Sequence, residues 1–256
     1  MPHIIWAGHA TVRIELDGAA LLTDPLLRRR AGPLVRRGPV PPGVADDLDA
    51  VLISHLHHDH LDLGSLRRID PGTPVIAPRG AGPFLRRAGR RHVIELGPGE
   101  SAPLGGITVR ATSATHHGGR PPGRGRGVPA LGYLIEGSRR VYFAGDTDVF
   151  PGMADLAPGL DLALLPVWGW GPTLGPGHLD PEGAAHALTL LRPRLAIPIH
   201  WGTMYPRWIP ERRRGFLDWP GERFARAAAA RTPGVEVALL SPGGAAPIPG
   251  PEGAAP

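Results

Sequence analysis

The stretch Ser54-His55-Leu56-His57-His58-Asp59-His60 decides the fold, and it directly follows the apolar run at residues 50–53. That run has the length and composition of a buried strand, so the histidines stand in a loop at its carboxyl end. On a helix these side chains would point around the axis, whereas in a loop they can converge on one point. Imidazole and carboxylate are ligands that zinc and similar divalent ions accept, so the pattern indicates a metal site rather than a polar surface loop.

Three further candidate ligands also come just after apolar runs. They are His116 after residues 107–111, Asp146 after residues 141–144 and His200 after residues 196–199. Each run is short and bounded by turn residues, which is typical of a strand. A site built from the ends of several strands needs its ligands at such positions, so these residues are candidates for the same metal site.

The composition narrows the chemistry that the chain can perform. All 28 basic side chains are arginine, and lysine, cysteine, asparagine and glutamine are absent. The absence of cysteine excludes disulfides, thiolate zinc sites and a cysteine nucleophile, and the absence of lysine excludes Schiff-base chemistry and a P-loop. Histidine, carboxylate and hydroxyl groups remain, and the twelve histidines are a large supply.

The order of apolar runs and helical patterns predicts one α/β domain at residues 1–241. Short strand-like runs recur along it, and helical patterns separate some of them. The best-defined helix is Pro181–Leu191, because Asp180 can cap it and proline suits its first position. Two strand-rich halves that each end in helices indicate a layered α/β sandwich.

Three segments have the composition of loops or of disorder. Residues 28–43 and 118–129 are rich in arginine, glycine and proline and are predicted to be loops. Residues 242–256 are mostly glycine, alanine and proline and are predicted to be a disordered tail. No apolar run reaches the roughly 20 residues that span a membrane, and the first residues lack a secretory pattern, so we expect a cytoplasmic protein.

The HxHxDH pattern at residues 55–60, with the later candidate ligands in order, resembles the metallo-β-lactamase superfamily. The resemblance implies a four-layer αββα sandwich with two divalent metal ions at the strand ends. It assigns His55, His57 and His116 to one metal, Asp59, His60 and His200 to the other, and Asp146 to both.

Two positions of this motif set are ambiguous. His117 competes with His116, and the family pattern favours His116 because the ligand precedes a bulky residue and a Ser-Gly-Arg sequence. Gly118 replaces that serine, which changes the local hydrogen bonding. His58 stands at a variable position and is expected to face solvent.

The residue at position 57 bears on the metal. Diiron oxidoreductases of this superfamily carry glutamate where this chain has His57, so the resemblance favours zinc and hydrolysis over redox chemistry. Manganese is the alternative, because some similar proteins use it.

Further stretches resemble one branch of the superfamily, which contains L-ascorbate-6-phosphate lactonase and N-acyl-phosphatidylethanolamine phospholipase D. They are residues 5–11, 22–25, 161–166, 178–184 and 199–203. Members of this branch act on lactones and phosphodiesters, so the resemblance does not identify the substrate.

Three residues outside the ligand set are candidates for supporting or catalytic roles. His178 is a candidate proton donor or substrate contact, or else a histidine hydrogen-bonded near the start of its helix. Asp24 is a candidate acceptor that orients a ligand histidine, with a turn-forming Asp-Pro as the equal alternative. His9 either contacts the site or is a buried structural histidine.

Four residues are candidates for contacting the substrate. Arg120 and Arg124 have the chemistry to bind an anion, although ordinary solvated surface is the stronger explanation because arginine is the only basic residue here. Trp168 and Trp170 follow the run at residues 162–165, and either wall the pocket or serve packing alone.

These features predict a metal-dependent hydrolase. Two divalent cations lower the pKa of a bridging water towards 7, and the resulting hydroxide attacks a carbonyl carbon or phosphorus. Asp59 would orient this nucleophile and His178 would assist the leaving group. The expected substrate is a small or lipid-like, in some cases anionic, ester, lactone or phosphodiester.

Two rival functions have weaker support. A nuclease would suit the net charge of +5, but the chain has no protruding arm and no interleaved aromatic and basic residues. A non-catalytic basic protein that binds nucleic acid is also disfavoured, because it needs neither seven ligands nor an open site.

Overall fold

The computed structural model describes residues 1–120 and 127–250. The strands, β1 to β17 in chain order, are His3–Gly8, Thr11–Leu16, Ala19–Thr23, Arg30–Ala31, Leu34–Arg36, Ala50–Leu52, Val75–Pro78, Val93–Leu96, Ser101–Leu104, Ile107–Ser113, Leu131–Glu136, Arg140–Phe143, Leu162–Pro166, Leu195–Ile199, Met204–Pro206, Glu236–Val237 and Ala245–Pro247. The helices, α1 to α4, are Leu63–Leu66, Gly82–Arg87, Pro181–Leu191 and Pro220–Arg231, and short 3₁₀ turns lie at Met153–Leu156, Glu211–Arg213 and Gly215–Leu217.

Two seven-stranded sheets form the middle of the fold. The first has the order β17-β1-β2-β3-β6-β7-β8 and the second the order β16-β14-β13-β12-β11-β10-β9. In each sheet one end is antiparallel and the other is parallel. Parallel neighbours need crossover connections, and α1 to α4 lie within those connections.

Three separate apolar cores show that these elements stack in four layers. The core between the sheets includes Trp6, Tyr133 and Phe143, which are fully buried. A second core joins the other face of the second sheet to α3 through residues such as Leu188, and a third joins the first sheet to α2 through Leu85. The predicted four-layer αββα sandwich is therefore confirmed.

The helix α3 forms as its sequence predicts. The Asp180 side chain accepts a hydrogen bond from the Gly183 N–H at 2.7 Å, and Pro181 occupies the first turn. In the chain segments that the structure describes, no helix combines the length and the apolar character that crossing a membrane requires.

A small third sheet, in the order β15-β5-β4, corrects the prediction that residues 28–43 form a loop. Leu34 of β5 pairs with Ala31 of β4 and with Pro206 of β15. Leu26, Ala31, Leu34 and Met204 bury their side chains together beneath it. Strands of two or three residues carry no readable alternation, so only the pairing with distant β15 reveals them.

The last described residues correct the prediction of a disordered tail at 242–256. Strand β17 pairs in antiparallel register with β1, and the side chains of Ala246 and Ile248 are buried. The domain therefore extends beyond the predicted boundary at residue 241. The remainder of that tail, residues 251–256, lies outside the described residues.

Candidate metal centre

The loops after four strands meet at one edge of the two sheets. Strands β10, β12 and β14 end at one edge of the second sheet, because β10 and β12 both run antiparallel to β11 and β14 is parallel to β12 through β13. The loop after β6 of the first sheet meets them there, since its His55 and His60 group with Asp146. The loops after these four strands carry the predicted ligands His55, His57, Asp59, His60, His116, Asp146 and His200, and the structure brings these seven residues together.

His55, His57 and His116 form a group whose ligand atoms all lie within 4.8 Å of one another. The Nδ1 of His57 lies 3.1 Å from the Nε2 of His116, whose own Nδ1 is 2.9 Å from the carbonyl oxygen of Gly177. The Nδ1 of His55 lies 3.0 Å from the Oγ of Ser54. We name this group the outer half of the centre, because His57 and His116 are only partly buried.

Asp59, His60 and His200 form the inner half of the centre, and all three are buried. The Nε2 atoms of His60 and His200 are 3.0 Å apart. The Nδ1 of His60 contacts Asp24 Oδ2 at 2.7 Å, and the Nδ1 of His200 contacts the carbonyl oxygen of Trp168 at 2.8 Å. A carboxylate oxygen of Asp59 lies 3.0 Å from the Nε2 of His9.

Asp146 lies between the two halves. Its Oδ2 is 3.1 Å from the Nε2 of His60, and its Oδ1 is 3.3 Å from the Nε2 of His200. It groups with His55 and His60, and separately with His116 and His178. One carboxylate therefore faces ligand atoms from both halves, as a bridging ligand requires.

The residues fit divalent cations because the lone pairs of ring nitrogens and carboxylate oxygens converge on the same small space. Where Nδ1 has a carbonyl or carboxylate acceptor, as in His60, His116 and His200, the neutral ring carries its proton there and turns the Nε2 lone pair inwards. The buried Nε2 of His55 and Oδ1 of Asp146 have no hydrogen-bond partner among the described residues. Buried polar atoms are rarely left in this way without a ligand.

The electrostatics of the centre are those of a metal site. Burial lowers the pKa of His55 well below its ordinary value and that of His116 to about 4, which keeps both rings in the neutral form that binds metals. Burial opposes ionisation of Asp146, but positive charge at His200 and His60 outweighs it and holds the pKa of Asp146 well below its usual range. Burial also lowers the pKa of His60, but Asp146, Asp59 and Asp24 outweigh it and raise that pKa well above its ordinary value. The carboxylates therefore draw positive charge into this space, which a divalent cation would supply in place of a proton. Neutral imidazoles and an ionised carboxylate are the ligand forms that a divalent cation needs.

The backbone is strained at three residues of the site. His9, Asp24 and His200 have positive φ angles of 54°, 32° and 63°, and among the described residues six non-glycine positions share this feature. Left-handed backbone is disfavoured for residues with a Cβ and persists only where surrounding structure enforces it. Half of these positions therefore serve one cluster.

Two glycines allow the loops to approach closely. A Cβ on Gly145, next to Asp146, would come within 2.7 Å of the Ser54 Cβ. A Cβ on Gly118 would come within 2.4 Å of the carbonyl oxygen of Val128, and the Gly118 carbonyl accepts from the Leu56 N–H at 2.9 Å. The glycine that stands in place of the expected serine is thus required by packing, and its backbone supports the histidine loop.

The structure separates the two neighbouring histidines of the second motif. His116 joins the outer half, whereas His117 is exposed and its ring centroid lies 6.3 Å from that of His57. His58 is also exposed, with its Nδ1 2.6 Å from the guanidinium of Arg120.

Asp24 and His9 both contact the centre directly. Asp24 accepts hydrogen bonds from the backbone N–H of Ser54 at 2.7 Å and from the Ser54 hydroxyl at 2.6 Å, in addition to its contact with His60. Sequence reasoning missed Ser54, which joins Asp24 to His55. Its position directly before the histidine motif was the available signal.

A cavity of about 300 Å³ opens onto the cluster. Its lining combines the polar residues His57, His58, Asp59, Asp146 and His178 with the apolar residues Ala31, Pro33, Leu34 and Trp170. The small third sheet therefore supplies one wall, and Trp170 also lines the cavity. Trp168 instead packs its ring 4.5 Å from that of Trp219 and supports His200 through its carbonyl.

The structure places Arg120 against the histidine loop rather than among the residues that line the cavity. Its side chain is only 8% exposed, and its guanidinium donates hydrogen bonds to the carbonyl oxygens of Leu56 and Leu61 at 3.2 and 2.8 Å. Burial and these bonds make it a support for the histidine loop. Arg124 lies outside the described residues.

His178 lies at the rim of the cavity, before α3. Its Nε2 is 3.3 Å from Asp146 Oδ2, and its Nδ1 lies 3.1 Å from the carbonyl oxygens of Gly175 and Pro176. Burial lowers the pKa of His178, but its hydrogen bond to Asp146 and the charge of that carboxylate outweigh burial and raise it.

Comparisons with known proteins cover the same strands and loops. A family model described as a beta-lactamase superfamily domain matches residues 20–201. A metal-dependent hydrolase of Thermoplasma acidophilum is 32% identical over 223 residues, which cover 85% of this chain and 92% of that protein. The N-acyl-phosphatidylethanolamine-hydrolyzing phospholipase D 1 of Caenorhabditis elegans is 35% identical over 233 residues, which cover 80% of this chain and 65% of that protein.

A solved structure shows the same fold. A metallo hydrolase from the archaeon Ignicoccus hospitalis superposes with a TM-score of 0.71 at 23% identity, and the match covers 96% of this chain and 97% of that one. At this identity the likeness concerns the arrangement of the strands and helices alone.

Proposed function

We propose a specific reaction for this chain, which belongs to the metallo-β-lactamase superfamily and is a metal-dependent hydrolase of that superfamily. The reaction is the cleavage of an ester, lactone or phosphodiester bond at a centre of two divalent cations. His55, His57 and His116 would hold one cation, Asp59, His60 and His200 the other, and Asp146 would bridge them.

One observation carries this proposal: inward-facing Nε2 and carboxylate atoms converge, and two of them, the buried Nε2 of His55 and Oδ1 of Asp146, have no hydrogen-bond partner among the described residues. The Nε2 of His200 faces Asp146 Oδ1 at 3.3 Å, and the proton of that ring belongs on Nδ1, beside the carbonyl of Trp168. Two electron pairs at this distance repel each other unless a cation lies between them.

The cations supply Lewis acidity and a water of lowered pKa when they are bound. Asp59 has one oxygen held by His9 and lines the cavity, so it is placed to orient the attacking water. His178 has its Nδ1 beside two carbonyl oxygens, so a proton that the ring gives up leaves from Nε2. That atom lies 3.3 Å from Asp146 Oδ2, and both residues line the cavity, where the ring would protonate the leaving group of a bound substrate.

The cavity wall points to a substrate with an apolar substituent. Ala31, Pro33, Leu34 and Trp170 face the same space as the ligand cluster. The relative from Caenorhabditis elegans is named for hydrolysis of a lipid phosphodiester, which supports a lipid-like phosphodiester over a strongly polar lactone. We propose zinc as the metal, with manganese as the alternative, because the donors are imidazole and carboxylate.

A nuclease remains the second candidate function, because the net charge is +5 and phosphodiesters are within reach of the same chemistry. The apolar cavity wall disfavours it, since a nucleic-acid backbone offers nothing apolar to fill that space. Trial substrates should therefore include oligonucleotides beside lipid phosphodiesters.

The test combines metal analysis with a substrate screen. The purified chain is expected to contain two divalent ions and to hydrolyse at least one lipid phosphodiester or lactone. Chelation should abolish the activity, and added zinc or manganese should restore it. Hydrolysis that survives complete removal of metal would refute the proposal, and so would a protein that binds no divalent ion.

A further inference from the structure

The two most exposed tryptophans of the described chain are Trp170, which lines the metal-site cavity, and Trp208, which lies in the turn beside Pro33 of that cavity. Trp170 is 41% exposed and lines the cavity together with Pro33. Trp208 is 64% exposed, and the backbone N–H of its neighbour Arg207 donates to the Pro33 carbonyl at 3.0 Å. Both tryptophans therefore border the exposed tip of the β4–β5 hairpin.

The turn that carries Trp208 is held in place. The Ile209 N–H donates to the carbonyl oxygen of Pro206 at 3.0 Å, and the Nε of Arg214 donates to that of Ile209 at 3.0 Å. The guanidinium of Arg214 also lies over the ring of Tyr205 at 4.1 Å. These bonds fix the turn while leaving the Trp208 ring in solvent.

Five exposed arginines lie in the two segments that meet at this tip, where Glu211 is the one acidic residue among residues 29–36 and 207–213. They are Arg29, Arg30, Arg207, Arg212 and Arg213, and none forms an ion pair with any residue in 1–120 or 127–250. Their neighbours Arg28 and Arg37 differ, because they pair with Asp62 and Asp218. Arginine keeps its charge at any physiological pH, so the surface is permanently cationic.

We propose that Trp208 and these five arginines form a docking surface for an anionic lipid layer. Tryptophan favours the boundary between water and hydrocarbon, because its ring is apolar and its N–H is polar. Arginines close to that boundary are attracted to acidic headgroups. Docking in this orientation turns the cavity mouth, at Pro33 and Trp170, towards the lipid.

The geometry favours lipid over nucleic acid as the partner. Proteins that bind single strands combine a basic groove with several aromatic side chains on which successive bases stack. Here a single ring, that of Trp208, is mostly exposed in the turn, and the exposed arginines stand before and after it in the chain and on β4. That arrangement suits an interface with an apolar side and an anionic side.

Sedimentation of the whole chain with vesicles tests the docking surface. We expect binding to vesicles that contain phosphatidylglycerol and none to vesicles of phosphatidylcholine alone. The double variant Arg212→Ala/Arg213→Ala should lower the partition coefficient about 25-fold, because each arginine at an anionic surface contributes about fivefold. Trp208→Ala should also lower it several-fold at unchanged net charge.

The matched control is Arg91→Ala/Arg231→Ala, which removes the same charge. Arg91 and Arg231 are exposed and precede β8 and β16, so they lie at the edge of the sheets opposite the metal centre. This control should bind as the parent does. Equal losses in the two double variants would overturn the proposal, because binding would then follow net charge alone.

Two further outcomes would also overturn the proposal. One is the absence of binding to the anionic vesicles, and the other is binding to a single-stranded oligonucleotide without binding to vesicles. All substituted side chains are exposed, and thermal unfolding checks that each variant keeps the fold. Vesicle binding needs no turnover, so the result is independent of the proposed reaction.

Discussion

The two halves of the metal centre differ in how deeply their ligands are buried. In the inner half, Asp24, His9 and the carbonyl of Trp168 each hold one ligand, and the ligands themselves are buried. In the outer half, His57 and His116 are partly exposed and line or approach the cavity. The inner half is therefore tied to the stability of the fold, whereas the outer half is open to the substrate.

The largest effect on stability and metal binding is expected from Asp24→Ala, which removes a hydrogen-bond acceptor of the inner half. It leaves the buried Nδ1 of His60 and the N–H of Ser54 without an acceptor, so it should cost about 3 kcal/mol of stability. We expect a lower unfolding temperature, together with loss of metal and activity. A control, Asp155→Ala, removes an exposed carboxylate and should change none of these. Normal stability of Asp24→Ala would show that the inner half does not depend on this acceptor.

His57→Ala should reduce metal binding without reducing stability, because His57 lies in the less buried outer half. The side chain is partly exposed, so the fold should survive, while the metal content falls from two ions to one and hydrolysis is abolished. Metal analysis and thermal unfolding measure the two effects. His92→Ala, at an exposed histidine far from the centre, should leave both unchanged. Full metal content in His57→Ala would remove this residue from the ligand set.

His178→Ala should affect turnover alone. The residue contacts Asp146 from the cavity rim and is not needed to complete either half, so both ions should be retained. Loss of a positioned proton donor should lower kcat by roughly 10²–10⁴-fold. The loss should be smallest for substrates whose leaving group needs no proton. An unchanged kcat for every substrate would assign His178 to a structural role.

The smallest effect on metal affinity is expected from His9→Gln, which tests how the hydrogen bond from residue 9 to Asp59 supports the inner half. The amide can still donate a hydrogen bond to Asp59, so we expect a loss of metal affinity within about tenfold. His9→Ala should lose roughly 10–100-fold, since the carboxylate is then unsupported. Competition with a chelator measures both. Equal affinities in the two variants would show that the hydrogen bond to Asp59 is dispensable.

Much of the site was predictable because its information is local. Each ligand lies within eight residues of the end of a strand, and the ends of these strands meet at one edge. The histidine motif at residues 55–60 therefore indicated both the chemistry and its place in the fold. The capped helix α3 was predictable for the same reason, since Asp180 and Pro181 define its start within one turn.

The errors arose where a residue's partner is distant in the chain. Arg120 looks like a surface cation until its guanidinium meets the carbonyls of Leu56 and Leu61, which belong to the histidine loop. The strand at Ala245–Pro247 has a tail-like composition, and only its pairing with β1 orders it. Short strands depend on such pairing more than on their own propensity.

The sequence by itself determined the fold class, the ligand chemistry and the strand ends that carry it, because residue type and spacing encode these locally. Only the tertiary structure decided that His116 rather than His117 faces the cluster and that Ser54 links Asp24 to His55. It also decided that the hairpin at Arg30–Arg36 walls the cavity. These features are set by packing between segments remote in the chain, which no single stretch of sequence contains.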